Sequence, residues 1–445
     1  MKRLVAIAIA AAGCGNGSSP MQGCDLSAAT PTMHTSISGS ETWASGVHRV
    51  PSTLTVPVGA TLTVSACSRV ELGADAGLTV NGALVVAGTA SAPVNFVAAA
   101  APAPWGSIHL DPGGTADLAY ATLTGGGGAA PLETSGVLGA PIYVQGVGGP
   151  PTPRPLKVSN VDVEKATGVG IALVNAGFAD GSTALTVSTA GAYPVYLGAD
   201  VVDTLPDGKY TGNAADIVQL QSAFFAAQDN QRTITRDLTI HNRGVPYCVG
   251  MKEPGVITIG DPSIPLVTIE AGVAIGWPKG TSAGGRLRTL ADTSTNPTQA
   301  LGALAAVGTA ANHILFTSCE GSAAAAGDWI GLMFNGVDSR TRLEYVEIDD
   351  AGADSGVIGT CQTNQNNNDA DAAVQILLQQ GDVTASFIAN SVIAASAGNG
   401  IHRGWKGSDT DFLSGNALTQ IAWCAETLVP DLSNACPTTT CPTAP

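Results

Sequence analysis

The sequence predicts an all-β chain wound as a solenoid of short strands, and three observations lead there. A unit on the order of a hundred residues occurs twice. The strands inside it are very short, and the core has to be built from small aliphatic side chains. Of 445 residues, 44% are hydrophobic but only 5% aromatic, and 55 Gly with 26 Pro punctuate the chain. Such material suits thin, repeated layers better than one globular centre. Charged residues make up 12%, about half the roughly 25% of an average soluble domain. The formal net charge of -16 argues against nucleic acid as a partner, because each phosphate contact needs a Lys or Arg to displace counterions.

The first element is an address. Lys2 and Arg3 precede an apolar run from Leu4 to Ala12, too short to span a bilayer, and Gly13-Cys14 follows. Residues 1–13 therefore read as a signal peptide. Ala11-Ala12-Gly13-Cys14 resembles the lipobox of bacterial lipoproteins, with Ala11 departing from the usual Leu, and the resemblance implies that Cys14 carries the lipid. Acyl chains hold a protein to a membrane through the CH₂ groups they bury. The expected place is thus the cell envelope, at the outer membrane or cell surface, or outside the cell if Cys14 is not acylated. Residues 14–47 follow as a tether and N-terminal cap. With Cys14 used by lipid, an even number of the nine Cys remains, which in an exported chain favours disulfides. Cys24 is expected to pair with Cys67, and Cys424, Cys436 and Cys441 largely among themselves. No C-x-x-C pair and no His pair at ligand spacing suggests zinc.

Next comes the repeat. Gly82-Ala83-Leu84-Val85-Val86-Ala87-Gly88-Thr89-Ala90 recurs as Gly302-Ala303-Leu304-Ala305-Ala306-Val307-Gly308-Thr309-Ala310. Phe96 answers to Phe316, Trp105 to Trp329, and Leu118-Ala119-Tyr120 to Leu343-Glu344-Tyr345. Within the unit, Leu62-Thr63-Val64, Leu84-Val85-Val86, Val94-Asn95-Phe96 and Ile108-His109-Leu110 alternate with period 2, the signature of short strands between Gly, Pro, Asp and Asn turns. Asn-Gly and Asp-Gly pairs are too few for a hairpin meander of this length. A coil in which each strand stacks in parallel on its equivalent, about 4.8 Å away, needs only short strands and bends. Two stretches carry helical spacing, Ala214 to Gln228 and Gln299 to Ala306. Asn390 and Asn416 each follow an apolar pair about one coil apart and are expected to stack up the ladder.

Leu54 to Gly127 and Val267 to Gly352 closely resemble the right-handed parallel β-helix domains of bacterial surface proteins and polysaccharide-active enzymes. The resemblance implies a first β-helix block at 48–210, a spacer at 211–245, a second block at 246–420 and a Cys-rich tail at 421–445. It covers rather more than a third of the chain and is specific for fold, since this scaffold hosts lyases, hydrolases, adhesins and proteins of no known chemistry.

Enzymes on this scaffold that cleave acidic polysaccharides cluster carboxylates on one outer face, with a base or cation close by. Glu344, Glu347, Asp349, Asp350 and Asp354 form the best such cluster, and the matching stretch of the first copy, Ala119 to Gly127, has none. The same acids would equally solvate an exposed turn. His402 and Arg403 sit in a Gly-rich bend, where alternation turns Ile401 inward and His402 outward; imidazole can act as a base and guanidinium can clamp a carboxylate sugar. Asp369 and Asp371, at the end of an Asn-rich run, are the weak candidates for calcium, though the spacing does not match an EF-hand. The expected function is a non-enzymatic surface scaffold or carbohydrate-binding module. The alternatives are a polysaccharide lyase or glycoside hydrolase, and an adhesin reaching glycans or other cells through the loops from Gly356 to Asp371 and from Ala129 to Pro155.

Overall fold

The computed structural model describes residues 24–128, 132–133, 136–137, 139–147, 152–221, 233–250, 255–279, 284–294, 299–356, 370–377, 383–405 and 408–427. Cys14, Cys436, Cys441 and Asp369 lie outside the described residues. The fold is a right-handed parallel β-helix. An eleven-stranded and a thirteen-stranded sheet, then two five-stranded sheets, form its faces, and all their pairings are parallel. Antiparallel pairs among the described strands occur only in two excursions, Leu132–Glu133 with Gly136–Val137 and Ala291–Asp292 with Gln299–Ala300. No helix among the described residues is long and apolar enough to cross a membrane.

Alternation explains the core. Leu54, Leu78, Ile108, Ile142, Ile171 and Val195 stack in register on the thirteen-stranded sheet, each almost wholly buried. Val70, Phe96, Leu123, Val163 and Val187 form a matching row on the eleven-stranded sheet. Each row removes its apolar surface from water by covering like with like, roughly 25 cal/mol per Å² buried. The strands Val218–Gln221 and Leu238–Ile240, on either side of 222–232, both pair within the sheets.

Where they are described, the helical spacings hold strands, and residues 222–228 of the first lie outside the described residues. Val218–Gln221 lies in the first stretch as a strand, and the second holds the strand Ala303–Val307, paired with Leu266–Ile269. Alanine favours a helix only weakly, and the stack below and above Ala306, between Ile269 and Leu343, overrides it. The asparagine ladder is also different. Asn390 is exposed at a left-handed corner (φ 52), whereas Asn416 spends its side chain on backbone, donating to the Ile388 and Phe412 carbonyls and accepting from the Ser391 amide at 2.9 Å.

The two copies share their joints. Gly88 donates to the Ala119 carbonyl and Gly308 to that of Glu344. A Cβ at Gly88 would stand 2.3 Å from the Tyr120 carbonyl oxygen, and one at Gly308 would stand 2.5 Å from that of Tyr345, which leaves room for nothing but glycine. Tyr120 and Tyr345 both turn the next corner in the left-handed region (φ 47 and 50). Buried Trp105 and Trp329 then pin it, their indole N–H groups donating to the carbonyls of Thr124 and Asp349 at 2.8 and 2.7 Å.

The copies nevertheless occupy different faces. Ala83–Ala87 and Val94–Ala98 lie on the eleven-stranded sheet and Ile108–Leu110 on the thirteen-stranded one. Their equivalents Ala303–Val307, Ile314–Ser318 and Gly331–Asn335 lie on a five-stranded sheet, on the thirteen-stranded sheet and on the other five-stranded sheet. The thirteen-stranded sheet takes the third strand of the first copy but the second strand of the other, so the second copy is laid down one face further round the axis.

Candidate functional site

The acids of the second copy divide between three places. Glu344 ends the strand Arg342–Glu344, lies 3.8 Å from the Arg342 guanidinium, and lines a groove of about 540 Å³ that also takes in Asp338, Ser339, Ser386 and Phe387. Past the Tyr345 corner, Glu347 and Asp349 point outward from the strand Val346–Asp349, two residues apart and so on the same side. Leu315 and Val392 flank Glu347 in the ladder and Ala394 flanks Asp349. These apolar neighbours deny the carboxyls water. Burial, then the charge and hydrogen bond of Glu347, then Asp350, push the Asp349 carboxyl up to about 7. Asp350 takes the left-handed corner (φ 62), accepting from the Thr317 hydroxyl at 3.1 Å on its side chain and from the Gly327 and Asp328 amides on its carbonyl.

Asp354 and Asp371 meet in a second groove, of about 340 Å³, across a stretch of sequence that gave no sign of their proximity. Asp371 is 3% exposed and takes both the amide and the hydroxyl of Ser355 on one oxygen, at 2.8 and 2.6 Å. Burial raises its carboxyl above the usual range despite those bonds, and Asp354 adds to the rise. Asp354 is exposed and accepts from the Gly356 amide. Among the described residues no group of three or more His, Cys, Asp or Glu is arranged to hold a metal ion.

His402 and Arg403 do not join these acids at the surface. Ile401 does face the core, as alternation requires, but the strand Asn399–Arg403 is buried on both sides. His402 stacks in register on Gln375, and beyond it Met333, which with Ile330 and Leu377 forms a separate buried apolar cluster. Arg403 registers on Ile376 and Phe334, so it lies in an inward row. There it donates to Asp409 at 2.6 Å and to the Thr410 and Thr427 carbonyls, with Glu426 at 3.4 Å. Its guanidinium is 1% exposed and unavailable to clamp a sugar acid.

No local pattern announces the fully buried carboxylate at Asp328. It accepts from Ser318 and the Ala325 amide, and Lys279 reaches its second oxygen at 3.0 Å. Asp328 directly precedes the pinned Trp329, and nothing in the first copy stands for it. Trp329 stacks on Trp277 with centroids 4.3 Å apart.

Disulfides join Cys24 to Cys67 and Cys248 to Cys319. Cys424 is also disulfide-bonded, its partner lying outside the described residues. Compared with known proteins, the chain matches no family model, no curated protein and no solved structure.

Proposed function

We propose that the chain is an exported, lipid-anchored β-helix that stands at the cell envelope as a non-enzymatic scaffold binding carbohydrate, with Cys14 as its point of attachment. One observation carries the reading: His402 and Arg403, the base and cation expected beside the acids, lie in the buried strand Asn399–Arg403 instead of facing them. A lyase face needs a base or cation beside its carboxylates. Glu347 and Asp349, flanked by Leu315, Val392 and Ala394, suit recognition and solubility, not proton abstraction.

A second reading rests on Asp349. A carboxyl pushed up to about 7 is matched to general-acid work near neutral pH. Glycosidases hold their two carboxyls about 5–9.5 Å apart, however, and Glu347 lies close enough to hydrogen-bond Asp349. One assay tests both readings: full-length protein incubated with uronic-acid and neutral polysaccharides, with calcium and then with chelator, followed by product release. The scaffold reading expects no product. Cleavage that disappears in Asp349→Asn would overturn it and install the hydrolase. Fractionation of cells carrying Cys14→Ser tests the anchor, with release from the membrane expected and unchanged membrane association excluding it.

A further inference from the structure

The groove between Asp354 and Asp371 has a third wall that neither acid supplies. The coil that ends in Ala417–Ile421 continues to Trp423, whose amide donates to the Gly398 carbonyl and whose side chain stays 52% exposed, an unusual position for an indole in this chain. Trp105, Trp277, Trp329 and Trp405 are all almost fully buried. Trp423 lines the same groove as the two carboxylates.

The floor is backbone. Gly327, Gly352 and Gly398 line it, and a Cβ at Gly352 would stand 2.5 Å from the Gly398 nitrogen, one at Gly398 2.4 Å from the Asp371 carbonyl oxygen. The glycines let the neighbouring coils pack closely here, and with Ala326, Ala353 and Ala397 they leave only small residues along the groove floor. About 340 Å³ lies at the small end of ligand sites, enough for one ring and not for a polymer segment. Among the described residues no Lys, Arg or His lines the groove. Both bonds from Ser355 fall on one oxygen of Asp371, which leaves the other for a ligand.

We propose that this groove binds a single amino-sugar ring carrying a free ammonium, the indole of Trp423 lying on the ring face and Asp354 and Asp371 receiving the ammonium and a neighbouring hydroxyl. Exposed indoles offer a π face to sugar C–H groups and to cations alike. Two carboxylates disfavour uronic acids and phosphates and favour a cation, which also offsets the burial, and after it the Asp354 charge, that raise Asp371. The site deepens the carbohydrate-binding part of the proposed function and depends on that part alone.

The test is titration of full-length protein in detergent, reading tryptophan fluorescence and calorimetry, with glucosamine, N-acetylglucosamine, glucose and glucuronate as probes. Saturable binding of glucosamine is expected, with affinity lower by about tenfold or more for the acetylated and neutral sugars and no binding of glucuronate. Trp423→Ala should abolish both the signal and the heat, and Trp423→Phe should restore the heat in part. Asp354→Asn, at an exposed position that leaves the fold intact, should remove the preference for the amine. Equal affinity for glucose and glucosamine, binding that survives Trp423→Ala, or no binding at all would overturn the proposal. None of these results touches the anchor or the absence of cleavage, which the fractionation and polysaccharide assays read separately.

Discussion

In the first copy of the repeat, Trp105 donates to the Thr124 carbonyl and Gly125 turns the chain after it; in the second, Trp329 donates to Asp349 and Asp350 makes the same left-handed turn. The joints are shared, down to Gly88 and Gly308 under the tyrosine carbonyls, and the outward residues between them are not. Ala119, Thr122 and Thr124 of one copy are Glu344, Glu347 and Asp349 of the other. What is held constant is whatever the bend of the coil requires, and what varies is what solvent or a ligand meets. Binding chemistry is therefore to be sought in the differences between copies, and the repeated tryptophans are structural.

The strongest test of the shared joints is the pair Gly88→Ala and Gly308→Ala. Both place a methyl against a carbonyl oxygen at less than van der Waals distance, and each should cost roughly 3 kcal/mol in denaturant unfolding. A tolerated substitution in one copy would show that the two corners are not equivalent. Somewhat smaller is the effect of Trp105→Phe and Trp329→Phe, which leave the Thr124 and Asp349 carbonyls without their indole donor, about 1–3 kcal/mol. Trp329→Phe should cost more than Trp105→Phe, because it also disturbs the stack on Trp277. Equal losses in thermal melts would remove that distinction.

The smallest effect separates the copies by pH. Asp349 is held protonated in the folded chain well above the pH at which it ionises unfolded. Its contribution is therefore present at low pH and is lost as pH rises from about 4 to about 7. Asp349→Thr, the residue of the first copy, should gain stability relative to the native chain between pH 5 and pH 8. Parallel stability curves over that range would show that the apolar strip does not desolvate the carboxyl.

Much of this was legible in the sequence, and for a physical reason. Alternation in Leu84-Val85-Val86 or Ile108-His109-Leu110 is a direct record of which side chains face inward, and the stacked rows of a coil need no long-range information beyond it. The cysteines at the N-terminal end, Cys24 and Cys67, also found each other. Features that depend on how coils register were hidden. Arg403 reads as a sugar-acid clamp until its strand is laid on Ile376, and the burial of His402 beside Gln375 has no trace in the local pattern. Glycines 327, 352 and 398 with Trp423 make a groove out of four separate segments, and no local pattern announces it. The alanine run from Gln299 to Ala306 misled for the opposite reason, since its local preference is real and weaker than the stack that contains it.

The offset of the second copy by one face bears on valency. Had the copies been laid in phase, corresponding outer strips would lie side by side, and one extended glycan could bridge both and gain from chelation. Displaced around the axis, they look in different directions, so sites arising on corresponding strips of both copies would capture different strands. Sites so placed would favour cross-linking of neighbouring strands over avidity along a single one.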